Sequence, residues 1–257
     1  MIVCVLGSDS RQKEVANIFK LENYNVYQES DCVKNNFLIS KADILVLPLP
    51  FSRDKKHISN SAFSLEQIKD LMKKDCLVFA GMCKGTFENE YDYNTDEDFL
   101  RANAFYTAEG AVSLAIKHTD FSLSESKVLI IGNGRIGKSL ANLLKNFGAK
   151  ITVSARKEKD FLYIKNHSNF SIHTNLASDL SEYDIVFNTV PKDALMPKAK
   201  QTIRSDALII DLASTTSGLY REQNYIDAKG LPSVFCAKTS AKALYNSVKK
   251  YKGENLI

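Results

Sequence analysis

Two open α/β domains, each built on a sheet of parallel strands, are what this sequence predicts, and three observations carry the prediction. Short apolar runs alternate with helical patterns along the whole chain: "IVCVLG" (2–7), "ADILVLPLP" (42–50), "CLVFAG" (76–81), "VLIIG" (128–132), "DIVFNTV" (184–190) and "ALIIDLA" (207–213). Continuous runs of this kind are strands buried on both faces, and their alternation with helices argues an open α/β sheet. An acidic, poorly periodic stretch, "ENEYDYNTDEDF" (88–99), interrupts the alternation, which then starts afresh at Val128. The second half opens with a glycine turn set between a strand and a helix.

The elements follow in order. After "IVCVLG", Val15, Ile18 and Phe19 share one face of a helix, and "YNVY" makes a second strand. Ser64 with Gln67 three residues on is a capping-box signature for the helix that carries Leu65, Ile68, Leu71 and Met72. "NAFYTAEGAVSLAIKHTDF" places Ala111, Leu114, Ala115 and His118 at helical spacing, a helix linking the domains. Beyond Val128 come "ITVSA", a weak strand at "FSIHT", a last strand near "PSVFC" and a closing helix at "SAKALYNSVKKYK". The expected division is 1–102 plus about 239–257 as a substrate-binding domain, 103–120 as the linking helix, and 121–238 as the second domain.

Hydrophobic content of 44% and a net charge of +4 with both signs interspersed fit an ordinary globular chain and supply no basic stripe for nucleic acid. The five cysteines (Cys4, Cys32, Cys76, Cys83, Cys236) include no CxxC pair, and most lie in apolar runs, which suits a reducing compartment. The N-terminus enters a strand directly, and no apolar run nears the ~20 residues of a membrane span, so the expectation is a cytoplasmic protein without a membrane partner. No His, Cys or Asp cluster has metal-ligand spacing, and no metal is expected.

Gly132, Gly134 and Gly137 form G-x-G-x-x-G straight after "VLII". The pattern alone is weak; its place between strand and helix makes it a dinucleotide fingerprint of the Rossmann type. The first glycine allows the tight turn, the second lets amides approach a pyrophosphate, and the third brings helix to strand. Ile136, Leu140, Leu143, Leu144 and Phe147 then share one helix face, and Arg135 and Ile136 stand at the helix N-terminus, where free amides favour a phosphate. An NAD site usually places Asp or Glu about 20 residues on. This chain has Ser154, Ala155, Arg156 and Lys157. A guanidinium and an ammonium attract a 2′-phosphate that a carboxylate would repel, so NADP is the expected cofactor. Thr189, Val190, Ala213 and Ser214 follow two further strands and are placed to flank a nicotinamide, although small side chains at strand ends also serve packing.

Several segments together resemble the family of the dipicolinate synthase A component from endospore-forming bacteria: "GSDSRQ" (7–12), "NAFYTAEGAVSLAIKHTDFSL" (103–123), "VLIIGNGRIGKSLA" (128–141), "SARK" (154–157), "FNTVP" (187–191), "IIDLAS" (209–214) and "LPSVFCAKTSAKALYNSV" (231–248). The resemblance implies oxidation of dihydrodipicolinate to dipicolinate with NADP, beside a flavoprotein-like B subunit, in the cytoplasm of the sporulating mother cell. A homo-oligomer is also open. The chain departs from the family at Ser8, at Thr215–Gly218, and at Ser233 and Ala237.

A dicarboxylate substrate needs cations or oriented donors at two ends. Arg11 and Lys238, in family-matching segments, are the expected partners; Arg53 and Lys84 are weaker. Thr239 would cap the last helix or bind a carboxylate, and Asp9 would orient Arg11 or touch substrate. Asn103 and Thr107 divide evenly between capping and substrate contact; with Thr107 as the cap, Glu109 falls in the first helical turn, where a carboxylate suits the dipole. Glu109 is the first candidate base and His118 the second, with a core histidine the plainer reading of His118. The competing functions are another two-domain dehydrogenase, of the shikimate, alanine or methylene-tetrahydrofolate type, and a non-catalytic dinucleotide sensor.

Overall fold

The computed structural model describes residues 1–155, 160–162, 164, 170–173, 177–191, 197–213, 219–221 and 223–255. The chain divides into two compact units, Met1–Asn103 with Pro232–Ile257, and Ala104–Leu231.

The first unit is a five-stranded parallel sheet in the order β2-β1-β3-β4-β5. Its strands are β1 (Ile2–Val5), β2 (Asn25–Gln28), β3 (Ile44–Val46), β4 (Leu77–Ala80) and β5 (Glu90–Asp92). Successive side chains along β1 and just beyond it enter opposite cores. Cys4 and Leu6 join Leu45, Leu47 and Val78 on one face, while Val3 and Val5 join Val15, Phe19 and Phe79 on the other. That two-sided burial is why these strands read as unbroken apolar runs. Helix α1 (Ser10–Leu21) begins where Asp9 Oδ1 accepts from the Gln12 amide at 3.0 Å. It packs on α9 (Ala237–Asn255), with Phe19 edge-on to Tyr245 at 5.0 Å between ring centroids. Short helices α2 (Glu29–Lys34) and α3 (Phe37–Lys41) bury Cys32 and Ile39, and the capping box of α4 (Leu65–Leu71) is formed as its sequence predicts.

The second unit is a six-stranded parallel sheet in the order β11-β10-β9-β6-β7-β8. It is built from β6 (Lys127–Ile131), β7 (Lys150–Ser154), β8 (Ser171–His173), β9 (Ile185–Asn188), β10 (Leu208–Asp211) and β11 (Tyr225–Asp227). Counted along the chain this is the 3-2-1-4-5-6 order of a doubly wound dinucleotide-binding sheet, with the reversal of direction between β6 and β9. The first unit has the other common doubly wound order, 2-1-3-4-5. The predicted fold class is the observed one: two parallel α/β sheets, the second Rossmann-type. Helices α6 (Arg135–Asn146) and α7 (Pro197–Thr202) accompany the second sheet.

Several elements depart from the sequence reading, among them the short helices α2, α3 and α7, for which it offers no pattern. "PSVFC" is not a strand: Leu231–Phe235 form a short helix, α8, whose first turn tolerates Pro232 because a helix needs no amide there. Strands β5 and β11 were not anticipated; both are three-residue edges with half-buried or exposed residues, so they carry no apolar run. Helix α5 (Glu97–His118) begins six residues before the segment at Asn103, inside the acidic stretch, where Asp96 Oδ1 accepts from the Asp98 amide at 3.0 Å. None of the described helices is long and apolar enough to cross a membrane.

Candidate dinucleotide site

The turn between β6 and α6 is built by its three glycines in three different ways. Gly132 has φ +105°, a left-handed conformation costly for any other residue, and its amide donates to the Ser154 carbonyl at 2.9 Å. A β-carbon on Gly132 would stand 2.5 Å from Thr189 Oγ1 and 2.6 Å from Val190 Cγ1. Gly137 is buried, and a β-carbon there would run into the Gly132 carbonyl, so only glycine lets α6 approach the strand this closely. Around Gly134 no atom beyond its own chain neighbours lies within 4 Å of the β-carbon position. Gly134 is also the N-cap of α6, with no side chain capping the helix. The residues present therefore fit a dinucleotide: an exposed glycine over open space at an uncapped twelve-residue helix, where amides and the helix dipole face an anion.

Arg135 is exposed and Ile136 is half-buried against the sheet core. Thr189 and Val190 leave β9 beside Gly132, with Thr189 Oγ1 donating to the Ile131 carbonyl at 2.8 Å; Ala213, buried, leaves β10. These residues converge on the carboxyl end of the sheet. Ser154 ends β7 there but is only 2% exposed, held beneath the turn it supports. Arg156, Lys157 and Ser214 lie outside the described residues, as do the departures at 215–218. Sequence reasoning missed Asp160, whose Oδ1 accepts from Asn133 Nδ2 in the turn at 3.4 Å. Its six-residue distance from the end of β7 put it past the position where an acid is expected.

In the first unit, Arg11 is 5% exposed on α1. One terminal nitrogen donates to the Leu49 carbonyl at 3.2 Å, and Nε is buried without a hydrogen-bond partner. Burial pulls its pKa down, while the Asp9 carboxylate acts in the opposite direction. No carboxylate of the described residues lies within ion-pair distance of this guanidinium. Asp9 is thus both a helix cap and the nearby counter-charge of Arg11, and Lys238 and Thr239 stand in the first turn of α9. Arg53 and Lys84 are exposed surface cations.

Four readings are corrected. Thr107 is buried in the middle of α5 and caps nothing, because the helix starts at Glu97; Asn103 is half-buried one helical turn earlier. Glu109 is likewise mid-helix and not in a first turn, exposed in a surface groove with Val112, Ile116, Leu143 and Phe147. Thr239 is the third residue of α9 and not its cap, since the helix begins at Ala237. His118 is exposed and not a core histidine. It ends α5 shortly before β6 begins, so it lies by the amino end of that strand, roughly five residues of ~3.3 Å from the glycine turn. Among the described residues no group of His, Cys, Asp and Glu is arranged to hold a metal ion. Sequence reasoning also missed a His–Asp pair, His57 Nδ1 to Asp54 Oδ2 at 2.7 Å, because the loop carrying it has no periodicity.

Residues 98–210 match the family model of the D-isomer specific 2-hydroxyacid dehydrogenase NAD-binding domain. The chain is 26% identical to the dipicolinate synthase A component of Bacillus subtilis (strain 168), covering 98% of this chain and 96% of that one. The crystal structure of the corresponding dipicolinate synthase component from Bacillus halodurans superimposes with a TM-score of 0.80 at 23% identity, covering 97% of each chain. An L-alanine dehydrogenase superimposes with a TM-score of 0.65 at 14% identity, covering 98% of this chain and 88% of its own, and so shares the fold. The chain carries the nicotinamide-dinucleotide-binding domain of a dehydrogenase-type oxidoreductase, and over 98% of its length it is similar to the A component of dipicolinate synthase.

Proposed function

We propose that this chain oxidises dihydrodipicolinate to dipicolinate with NADP+. The observation that carries the substrate reading is Arg11: a guanidinium 5% exposed, bonded to one carbonyl, with no carboxylate of the described residues in ion-pair reach. A buried guanidinium whose counter-charge, Asp9, is not in direct ion-pair contact is costly, and a substrate carboxylate bonded to it relieves that cost. The whole-chain similarity to dipicolinate synthase supports the same reading.

Nicotinamide supplies the hydride acceptor when bound. The work left to the protein is orientation and a place for the proton. Arg11 holds one carboxylate of the dianion and Lys238 the other. Gly134 and the first amides of α6 take the pyrophosphate, while Thr189, Val190 and Ala213 shape the nicotinamide end. The ring loses one hydride to the nicotinamide and one proton to water.

"SARK" favours NADP, through a guanidinium and an ammonium that suit a 2′-phosphate. Asp160, bonded to the turn at Asn133, favours NAD instead. Expression in the sporulating mother cell, beside a flavoprotein-like B subunit, completes the proposal. The test is oxidation of freshly generated dihydrodipicolinate followed as reduced-nucleotide absorbance, with NADP+ and NAD+ in parallel. Rapid turnover with NADP+ supports the reading. Failure with both nucleotides, with and without a B subunit, overturns it.

A further inference from the structure

At the carboxyl ends of β9 and β10 two buried polar side chains face each other across the register pair Asn188–Asp211. Asn188 is fully buried and Asp211 is 2% exposed. Asn188 Nδ2 donates to Asp211 Oδ1 at 2.9 Å and to the Val190 carbonyl at 3.1 Å, while its Oδ1 accepts from the Val190 amide at 3.3 Å. Asp211 Oδ1 also accepts from the Ala213 amide at 3.1 Å, and Oδ2 accepts from the Tyr225 hydroxyl at 3.0 Å. Each strand-end side chain therefore folds the first residues of its own loop back over itself, and the two are then bonded together. The same loop presses on the turn, because Thr189 and Val190 occupy the space that a β-carbon on Gly132 would need.

A carboxylate this buried is costly, and the fold does not need one there to pair its strands, whose backbone ladder is complete without it. What the network fixes is the position of Val190 relative to Ala213, the two residues that leave adjacent strands toward the nicotinamide end of the site. We infer that Asp211 is a positioning residue: with Asn188 and Tyr225 it sets the pocket for the nicotinamide ring and leaves the adenosine end alone. Asp211 accepts from the side-chain amide of Asn188, a backbone amide and a phenol, so its acceptor-only character matters. Leucine at position 211 keeps the size of the side chain and removes both acceptor oxygens, leaving the buried Asn188 amide, the Ala213 amide and the Tyr225 hydroxyl without this partner. This inference rests on the dinucleotide reading of the turn.

The experiment is calorimetric titration of the full chain with NADPH and with 2′-phospho-ADP-ribose, which lacks nicotinamide, each also run in the unphosphorylated form. For Asp211→Leu the expected result is at least a tenfold loss of NADPH affinity with the affinity for 2′-phospho-ADP-ribose within twofold of wild type. The emission of bound NADPH should also lose its enhancement. Tyr225→Phe removes a single donor at the edge strand and should weaken NADPH alone, by a few-fold. Equal losses for both ligands, or none for either, would overturn the positioning role. A wild-type chain that binds none of the four ligands would overturn the dinucleotide reading itself, and this inference with it.

Discussion

Gly137 packs so closely on Gly132 that a β-carbon on the first would collide with the carbonyl oxygen of the second, whereas Gly134 between them faces open space. The same substitution should therefore have opposite signatures at the two positions. Gly137→Ala must push α6 off β6, at a cost of roughly 1–3 kcal/mol of overpacking or more, and should lower the melting temperature and abolish NADPH binding together. Gly134→Ala should leave the melting temperature within a few degrees and still reduce NADPH affinity at least tenfold, because its methyl group fills the space a pyrophosphate would use. Thermal melts and NADPH titrations of both variants check this.

Arg11 should separate stability from activity. Its guanidinium is buried with Nε unpartnered, so replacing it with an apolar side chain of similar length removes a desolvation penalty. Arg11→Met is expected to keep or raise the melting temperature while kcat/KM for dihydrodipicolinate falls at least a hundredfold. Loss of stability with activity per folded molecule intact would contradict the assignment of Arg11 to substrate.

The acid–base candidates were the least legible part of the site. The glycine motif was readable because each glycine meets a local steric demand that recurs wherever a strand feeds a helix over a phosphate. Helix ends were not: Thr107 and Glu109 look like a cap and a first turn until the acidic residues from Glu97 onward prove to be helical. Propensity gave no warning, since Glu and Asp suit a first helical turn as well as a loop. The short edges β5 and β11 escaped for a related reason, having no buried face to impose a pattern. "PSVFC" misled in the other direction, as Val234 and Phe235 are apolar yet exposed on a short helix.

Thiol chemistry should single out one cysteine. Cys4, Cys32, Cys76 and Cys83 are buried. Burial holds the thiols of Cys76 (up to about 12) and Cys83 well above the ordinary range, and a hydrogen bond with Cys32, together with burial, does the same for Cys4. Cys236 is half-buried. An aromatic disulfide reagent at pH 8 should modify Cys236 first in the native protein and reach all five thiols only after denaturation.

The ion pair between Asp43 and Lys73 gives the first unit a pH dependence. Asp43 accepts from Lys73 Nζ at 2.6 Å and from the Ile2 amide at 2.7 Å, bonds that lower its pKa and, through the Lys73 bond, raise that of Lys73. The folded carboxyl is thus more acidic than the unfolded one. Its contribution to stability is present above the ordinary carboxylate range and is lost as pH falls through the folded value. Asp43→Asn should lower the urea midpoint at pH 7, and that difference should shrink as pH falls from the ordinary carboxylate range through the lowered folded value.

Calorimetric titration of the wild-type chain with NADPH, and with NADH in parallel, bears most directly on the central claim that the turn after β6 holds a nicotinamide dinucleotide. One site per chain with micromolar or tighter affinity, stronger for NADPH, is the predicted result. No heat and no displaceable binding for either nucleotide, in a chain that melts cooperatively, would contradict it.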